Sequence, residues 1–322
     1  MTDPQINNGK TTNFKNLTIG YLLNPDKVFY NEMDFVIIKN LENFGATVEP
    51  FNLEEIYYSM NKEGLEVFIK GKKVNWDGFL SYGYMSNFHF QAYLIMVSAF
   101  ENANIPTLHK REYEDVLANK LLQSYKFSRS GLTIPETHAG FDVPSVKNFV
   151  EKYYPEGGIL KKLDDYAGDG VFHIDTNGGL ITYAAKCFWK NEYLLIQKFV
   201  PDSIGKSVRV LCVNGKAIAI AEYNHKTGDF KSNNSYSEEK LSLDSLMKSE
   251  KYQEYANVGE KAIEAIGDLV IGGVDIIDSK QYGLVVLEIN GWPDLFDIEH
   301  STGVPVFELF SKAFLQKCHK NK

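Results

Sequence analysis

The sequence predicts an N-terminal α/β lobe built on a mainly parallel sheet, followed by α+β lobes whose strands pair through hairpins. Three observations carry this expectation. Up to about residue 112, short apolar runs alternate with segments of helical periodicity, the pattern of a sheet with crossover helices. Beyond residue 193, β-branched runs are joined by tight-turn signals, above all Asn214-Gly215, a dipeptide that favours two-residue hairpin turns. The length of 322 residues exceeds one average domain, so two or three lobes are expected.

Residues 1–15, beginning MTDPQINNGK, lack an apolar run and read as a flexible tail. The first lobe is expected over 16–112. NLTIGYLL begins with a strand, and Glu32 to Phe44 carries helical spacing stopped by Gly45. ATVEPFN is a second strand, VFIKGKKV a hairpin turning at Gly71, WDGFLSYG another strand, and HFQAYLIMVSAFENANI an amphipathic helix. The second lobe is expected over 113–192. It starts with a helix from about Glu112 to Ser130, ended by Gly131 and the turn GLTIPET. A short helix in VPSVKNFVEKYYPEGG follows, then strand, Gly-bearing loop and strand in GGILKKLDDYAGDGVFHI. The third lobe, 193–322, holds strands in YLLIQKFV, SVRVLCV and KAIAIAEYN, a polar loop from Asn224 to Glu239, and an amphipathic helix over 250–266. Strands between Val270 and Ile289 and a last helix, VPVFELFSKAFLQKC, complete it.

At 44% hydrophobic and 24% charged, the chain has the composition of an ordinary soluble enzyme. Its net charge of -8 argues against a nucleic-acid binder, which should be basic. The cysteines, Cys187, Cys212 and Cys318, are odd in number and widely spaced, so the expected setting is a reducing cytoplasm. The most apolar window, FLSYGYMSNFHFQAYLIMVSAF, is interrupted by Ser, Asn, His, Gln and Gly and reads as strand, loop and core helix, with no membrane span.

The chemistry concentrates in LVVLEINGWPD, Leu284 to Asp294. Four apolar residues read as a strand buried on both faces, and Glu288 and Asn290, two apart, point to one side. A carboxylate there needs a positive partner. Upstream, GGVDIIDSKQYGLVVLEIN is a hairpin candidate. A turn centred on Lys280-Gln281 would set Asp275 near Val286 and on the face of Glu288 and Asn290. Two carboxylates and an amide oxygen suit magnesium, although acids also decorate solvated hairpin ends. Lys161 lies on a strand entering a loop with Gly168 and Gly170. That lysine can reach phosphate, and the glycines permit close backbone approach; an ordinary hairpin fits as well. Lys120 opens a helical pattern and, taken alone, reads as a surface lysine. Arg209 in SVRVLCV needs an anion, either a structural carboxylate or a bound one. Lys231 and Asn233 in GDFKSNNS could contact substrate or phosphate, or belong to a solvated loop.

In this order the residues resemble the ATP-grasp superfamily, and its RimK-type branch in particular, well over 112–315 and more weakly in the lobe before. NKLLQSYKFSRSGLTIPET looks like the helix that brings a first ATP lysine, Lys120, and ILKKLDDYAGDGVFHI like the second, Lys161, with the phosphate-covering loop Gly168 to Gly170. LIQKFVPD is similar to the hinge that holds adenine through backbone groups, here Gln197, Lys198, Phe199 and Val200. GVDII and VLEINGWPDL resemble the magnesium strands, so Asp275, Glu288 and Asn290 carry over as ligands. Three positions depart from the pattern: Lys198 stands where an acid is usual, Ser207 where Asp is usual, and Lys231 where Arg is usual.

The resemblance implies an ATP-grasp fold, with the N-terminal α/β lobe followed by two α+β lobes that clasp ATP. It implies ATP and Mg2+ as cofactors, with Mn2+ as a substitute, and an amino acid or peptide as substrate. The activity implied is a carboxylate–amine ligase working through an acylphosphate, with Arg209 and Lys161 at the reacting groups and Lys231 and Asn233 among the residues that bind the nucleotide. A homo-oligomer is likewise implied. A hydroxyl-phosphorylating kinase of similar architecture and a non-catalytic nucleotide-binding protein are the alternatives. The former calls for a strongly basic acceptor pocket, and the loop offers only Lys226 and Lys231. The latter calls for a lost metal ligand or lysine.

Overall fold

The computed structural model describes residues 14–24, 31–62, 64–83, 87–140, 148, 152–154, 157–162, 171–174, 194–225 and 241–321. The chain divides into two compact units, Met1–Arg111 with Phe307–Lys322, and Glu112–Val306.

In the first unit, β1 (Thr18–Leu22) lies between β2 (Thr47–Phe51) and β6 (Gly78–Ser81) in a parallel sheet. Helices α1 (Asn31–Asn43) and α2 (Asn87–Asn102) belong to this unit. A Cβ on Gly20 would lie 2.0 Å from the Trp76 ring, so the indole can pack on β1 only because no side chain stands there. A second sheet, β3 (Ile56–Asn61), β4 (Gly64–Ile69) and β5 (Lys72–Lys73), is antiparallel. Its expected turn forms at Lys70-Gly71, with φ 51° and 74°. Strand β3 is an addition to the expected elements. Its Tyr57 and Met60 are 64% and 79% exposed, so it lacks the alternation that marks a half-buried strand.

The last helix corrects the expected grouping of 193–322. Helix α7 (Val306–Lys320) belongs mostly to the first unit. Phe310 packs on Tyr82 at 5.3 Å between ring centroids, Cys318 and Phe314 fill the space over Gly78, and Lys317 Nζ donates to the Leu108 carbonyl at 3.2 Å. Its apolar stripe is buried by a sheet more than two hundred residues earlier in the chain, a pairing that helical periodicity cannot reveal.

The second unit opens with two helices where one was expected, α3 (Arg111–Leu117) and α4 (Lys120–Arg129). Asn119 breaks them. Its backbone is extended and its side chain accepts from the Leu121 and Leu122 amides at 3.0 and 3.1 Å, an N-cap that restarts the helix at Lys120. A four-stranded antiparallel sheet follows in the order β7-β10-β8-β9, formed by β7 (Thr137–Gly140), β8 (Gly158–Lys162), β9 (Val171–Ile174) and β10 (Leu194–Lys198). The expected short helix after residue 143 and the Gly-bearing loop lie largely or wholly outside the described residues.

A five-stranded antiparallel sheet completes the unit, in the order β13-β12-β11-β14-β15. Its strands are β11 (Lys206–Val213), β12 (Lys216–His225), β13 (Leu241–Ser245), β14 (Ile271–Ser279) and β15 (Gly283–Asn290). The β11–β12 turn at Asn214-Gly215 has φ 49° and 73°, as expected of the dipeptide. Helix α5 (Tyr252–Ile266) contributes Ile263 and Ile266 to a core with Val208, Val210, Val274, Ile276, Val286 and Ile289. Helix α6 (Phe296–Thr302) follows β15. β13 and α6 were not anticipated, being short elements with weak patterns. No helix among the described residues is long and apolar enough to cross a membrane.

Candidate functional site

The five-stranded sheet has one face on α5 and one face that carries charge. On β14, Val274 and Ile276 join the α5 core, so Asp275 points the other way. On β15 the core residues are Val286 and Ile289, three apart. A bulge between Asp275 and Ile276 produces this spacing: Ile276 pairs with Val286 and Asp275 with Glu288, leaving Leu287 as the extra residue. The bulge therefore turns Glu288 and Asn290 onto the face of Asp275. Without it, strict alternation from Val286 would bury both in the α5 core.

The expected register is corrected here. Asp275 stands opposite Glu288, not Val286. The turn has three residues, Lys280 to Tyr282, between the pair Ser279–Gly283, which shifts the pairing by one, and the bulge shifts it by another. The expected sharing of a face by Asp275, Glu288 and Asn290 survives both shifts.

Arg209 lies directly opposite Asp275 on β11, so Arg209, Asp275 and Glu288 form one rung across three strands. The Arg209 guanidinium grips Asp275 with two bonds, Nε to Oδ1 at 2.8 Å and Nη2 to Oδ2 at 2.7 Å. Its Nη1 donates to the Tyr223 hydroxyl at 3.2 Å, and Asn290 Nδ2 donates to Asp275 Oδ2 at 3.2 Å. Asp275 is fully buried. Burial raises its carboxyl above the usual range against the pull of Arg209, and Glu288 raises it further. Burial likewise works against ionised Glu288, but Lys120, Lys161 and Arg209 together hold its carboxyl below the usual value.

Lys161 comes from the other sheet. It is buried on β8, opposite Leu195 of β10. Burial lowers its ammonium below the usual lysine value, Glu288 opposes that, and neighbouring Lys120 adds to it. Lys120, Lys161, Arg209, Asp275 and Glu288 thus act on one another through space, although they come from a helix and two sheets. The donor set of two carboxylates and an amide oxygen fits a hard cation such as magnesium. Among the described residues, no group of three or more His, Cys, Asp and Glu could hold a metal.

The expected hinge residues lie at the end of β10. Gln197 is buried and its Nε2 donates to Thr137 Oγ1 at 3.1 Å. The Lys198 amide donates to the Glu136 carbonyl at 2.9 Å, while its ammonium lies 5.4 Å from the Tyr282 ring centroid, where a cation is favoured. The Phe199 amide donates to the Gly157 carbonyl at 3.3 Å, and Val200 precedes a short 3-10 turn, Pro201–Ser203. Asp202 ties this link to the β14–β15 turn by accepting from Ser279 Oγ and the Lys280 amide at 2.8 and 3.0 Å. Gly168, Gly170, Lys231 and Asn233 lie outside the described residues.

Two residues at the site escaped the sequence reading. Tyr223 was hidden by a bulge between Leu211 and Cys212; counting back from Asn214-Gly215 pairs Arg209 with Ile220, whereas Ala221 is the partner. Gln123 was hidden because a polar residue on a helix reads as solvated. Its one signal is that it lies four residues before buried Phe127, on the same stripe.

This combination of sheets and facing charges is that of an ATP-grasp protein. D-alanyl-alanine synthetase A from Vibrio cholerae superposes with a TM-score of 0.71 at 13% identity, covering 95% of this chain and 99% of that one. The ATP-grasp ligase PsnB, solved with a minimal precursor, gives 0.70 at 15% identity over 94% and 99%. At such identities the likeness concerns the fold. Residues 117–310 match the model of the RimK-like ATP-grasp domain, and the chain belongs to that family. A probable alpha-L-glutamate ligase from Shewanella pealeana is 27% identical over 306 residues, which is 94% of this chain. The chain spans 64% of that relative's length and 42% of that of two others.

Proposed function

We propose that the chain is an ATP-dependent carboxylate–amine ligase that forms an amide through an acylphosphate, acting on an amino acid or a peptide. The observation that carries this reading is the rung Arg209–Asp275–Glu288 with Lys120 and Lys161 acting on Glu288. On this reading, cations that would bind phosphate stand beside hard oxygens that would bind the metal, with no nucleophile–histidine pair called for. The names of the relatives, probable alpha-L-glutamate ligases, support the substrate class.

In the reaction, a substrate carboxylate oxygen attacks the γ-phosphorus of ATP and ADP leaves. An amine then attacks the acyl carbon, phosphate leaves, and the amine proton passes to solvent. Lys120 and Lys161 would hold the ATP phosphates, and Arg209 would steady the transferring phosphoryl group. Asp275, Glu288 and Asn290 would hold magnesium, or manganese in its place. The ion, when bound, neutralises charge on the phosphates. Backbone groups from Gln197 to Val200 would face the adenine. The protein's work is positioning and charge neutralisation. The proposed setting is the cytoplasm.

The test is phosphate release from Mg–ATP in a grid of pooled carboxylates against pooled amines, amino acids and peptides included, with Glu288→Ala as control. Release that requires both pools and disappears in the control is expected. A hydroxyl compound phosphorylated without amide formation would replace the ligase reading with a kinase.

A further inference from the structure

We infer that Gln123 is a positioning residue that locks the metal-ligand end of β15 to the helix beginning at Lys120; this deepens the ligase reading and rests on it. β15 is the last strand of its sheet, so its outer N–H and C=O groups need partners from elsewhere. The Val286 amide donates to the Thr133 carbonyl at 2.9 Å. Past the bulge, the partner is a side chain. The Ile289 amide donates to Gln123 Oε1 at 2.7 Å, and Gln123 Nε2 donates back to the Ile289 carbonyl at 3.1 Å. The primary amide thus offers one acceptor and one donor to one residue, as a neighbouring strand would.

Three features give this pair a role beyond filling space. Ile289 stands between Glu288 and Asn290, so fixing its peptide groups fixes both side chains in direction. The bulge at Leu287 loosens the ladder at that point, and the contacts of Thr133 and Gln123 bracket it. Gln123 also lies three residues after Lys120, on the same side of α4. Its Nε2 donates a second bond to the Leu117 carbonyl at 2.9 Å, where α3 breaks off. One amide, 2% exposed, therefore ties the end of α3, the start of α4 and the ligand strand together, with the helix as the anchor and the strand as the part it holds in place.

Glutamine is the fitting residue. Glutamate would lose the donor that serves two carbonyls and would bury a charge, asparagine is one methylene too short, and methionine fills the volume but leaves the Ile289 groups unpaired.

The test compares wild type, Gln123→Met and Gln123→Asn in two binding measurements on the full chain. One is ADP affinity without metal; the other is Mn2+ affinity in the presence of ADP, read by electron paramagnetic resonance of free Mn2+. Both variants are expected to keep metal-free ADP affinity within about twofold and to lose Mn2+ affinity by about tenfold or more, as supporting residues of metal ligands do. The kcat should fall with the KM for ATP little changed. If Gln123→Met does not fold, the Asn variant decides. Wild-type Mn2+ affinity in a folded variant, or equal losses in both measurements, would overturn the inference while leaving the ligase reading intact. A wild-type chain that binds ADP but no Mn2+ would instead remove the metal site and the inference with it.

Discussion

Arg209 and Asp275 face each other across β11 and β14 and share two hydrogen bonds, 2.8 and 2.7 Å long, in a site where the carboxylate is fully buried. Removing one partner leaves a buried charge without its counter-ion, which costs about 3–5 kcal/mol. Arg209→Met should therefore lower stability by that order in urea unfolding. The double variant Arg209→Met/Asp275→Leu should recover much of it, because both charges are gone, yet release no phosphate. A single variant as stable as wild type would show that the pair does not hold the sheet.

Lys161 behaves differently. Burial already disfavours its charge, so Lys161→Met should leave thermal stability unchanged or raised. Nucleotide binding should weaken by ten- to a hundredfold, the effect of losing a hydrogen bond to a charged group of about 1.5–3 kcal/mol. Calorimetric titration with ADP checks this; unchanged ADP affinity would take Lys161 out of the phosphate site.

Gly273 lies two residues before Asp275 on the same face. A Cβ there would lie 2.9 Å from Pro293 Cβ and 3.3 Å from Arg209 Cδ. Neither the ring nor the paired arginine can yield cheaply, so Gly273→Ala should destabilise by about 1–3 kcal/mol. It should also lower phosphate release more than Gly215→Ala, which meets nothing within 4 Å but strains a φ of 73°. Parallel melting curves and activity assays separate the two; equal activity loss would mean that the Arg209 position is tolerant.

The first unit carries its own pH dependence. Asp34 is buried, accepting from the Tyr21 hydroxyl and the Asn24 amide at 2.8 and 3.0 Å. Burial pushes its carboxyl up to about 6 from 3.8, against those hydrogen bonds. Because the folded value lies above the unfolded one, the folded state holds the proton longer. The contribution is fully present below pH 3.8 and is lost as pH rises through 6, by up to about 2–3 kcal/mol. Carboxylates held below their usual value act with the opposite sign; Asp278, lowered from 3.8 against burial by its bonds from Lys251 and Tyr255, loses its contribution only as pH falls below that value. The quantity to read is therefore the difference between wild type and Asp34→Asn from pH 4 to 7. A difference that does not change over that range would contradict the burial effect.

Much of the fold was legible because its signals are local. Asn214-Gly215 and Lys70-Gly71 form the turns their residue types favour, and α1, α2 and α5 follow their periodicity. β3 and β13 carry no strand signature in the sequence because their side chains are largely exposed or half-buried, and Asn119 falls inside a helical pattern although its side chain caps a new helix. Of the candidate site, Lys120, Lys161, Arg209, Asp275, Glu288 and Asn290 were legible in residue type and order, whereas Tyr223 and Gln123 were not, because a bulge and a helical position hid them.

By itself the sequence determined which groups are available for chemistry: two lysines, one arginine in a strand, and two carboxylates with an amide on a hairpin. Only the tertiary structure decided how they meet. Two bulges, a three-residue turn and a side-chain amide on a strand edge set the register. Each depends on backbone pairing between segments far apart in the chain, so no local pattern encodes it. A shift of one residue moves a whole strand face from cleft to core, and the bulge opposite Asp275 is what brings Glu288 to the Arg209–Asp275 rung.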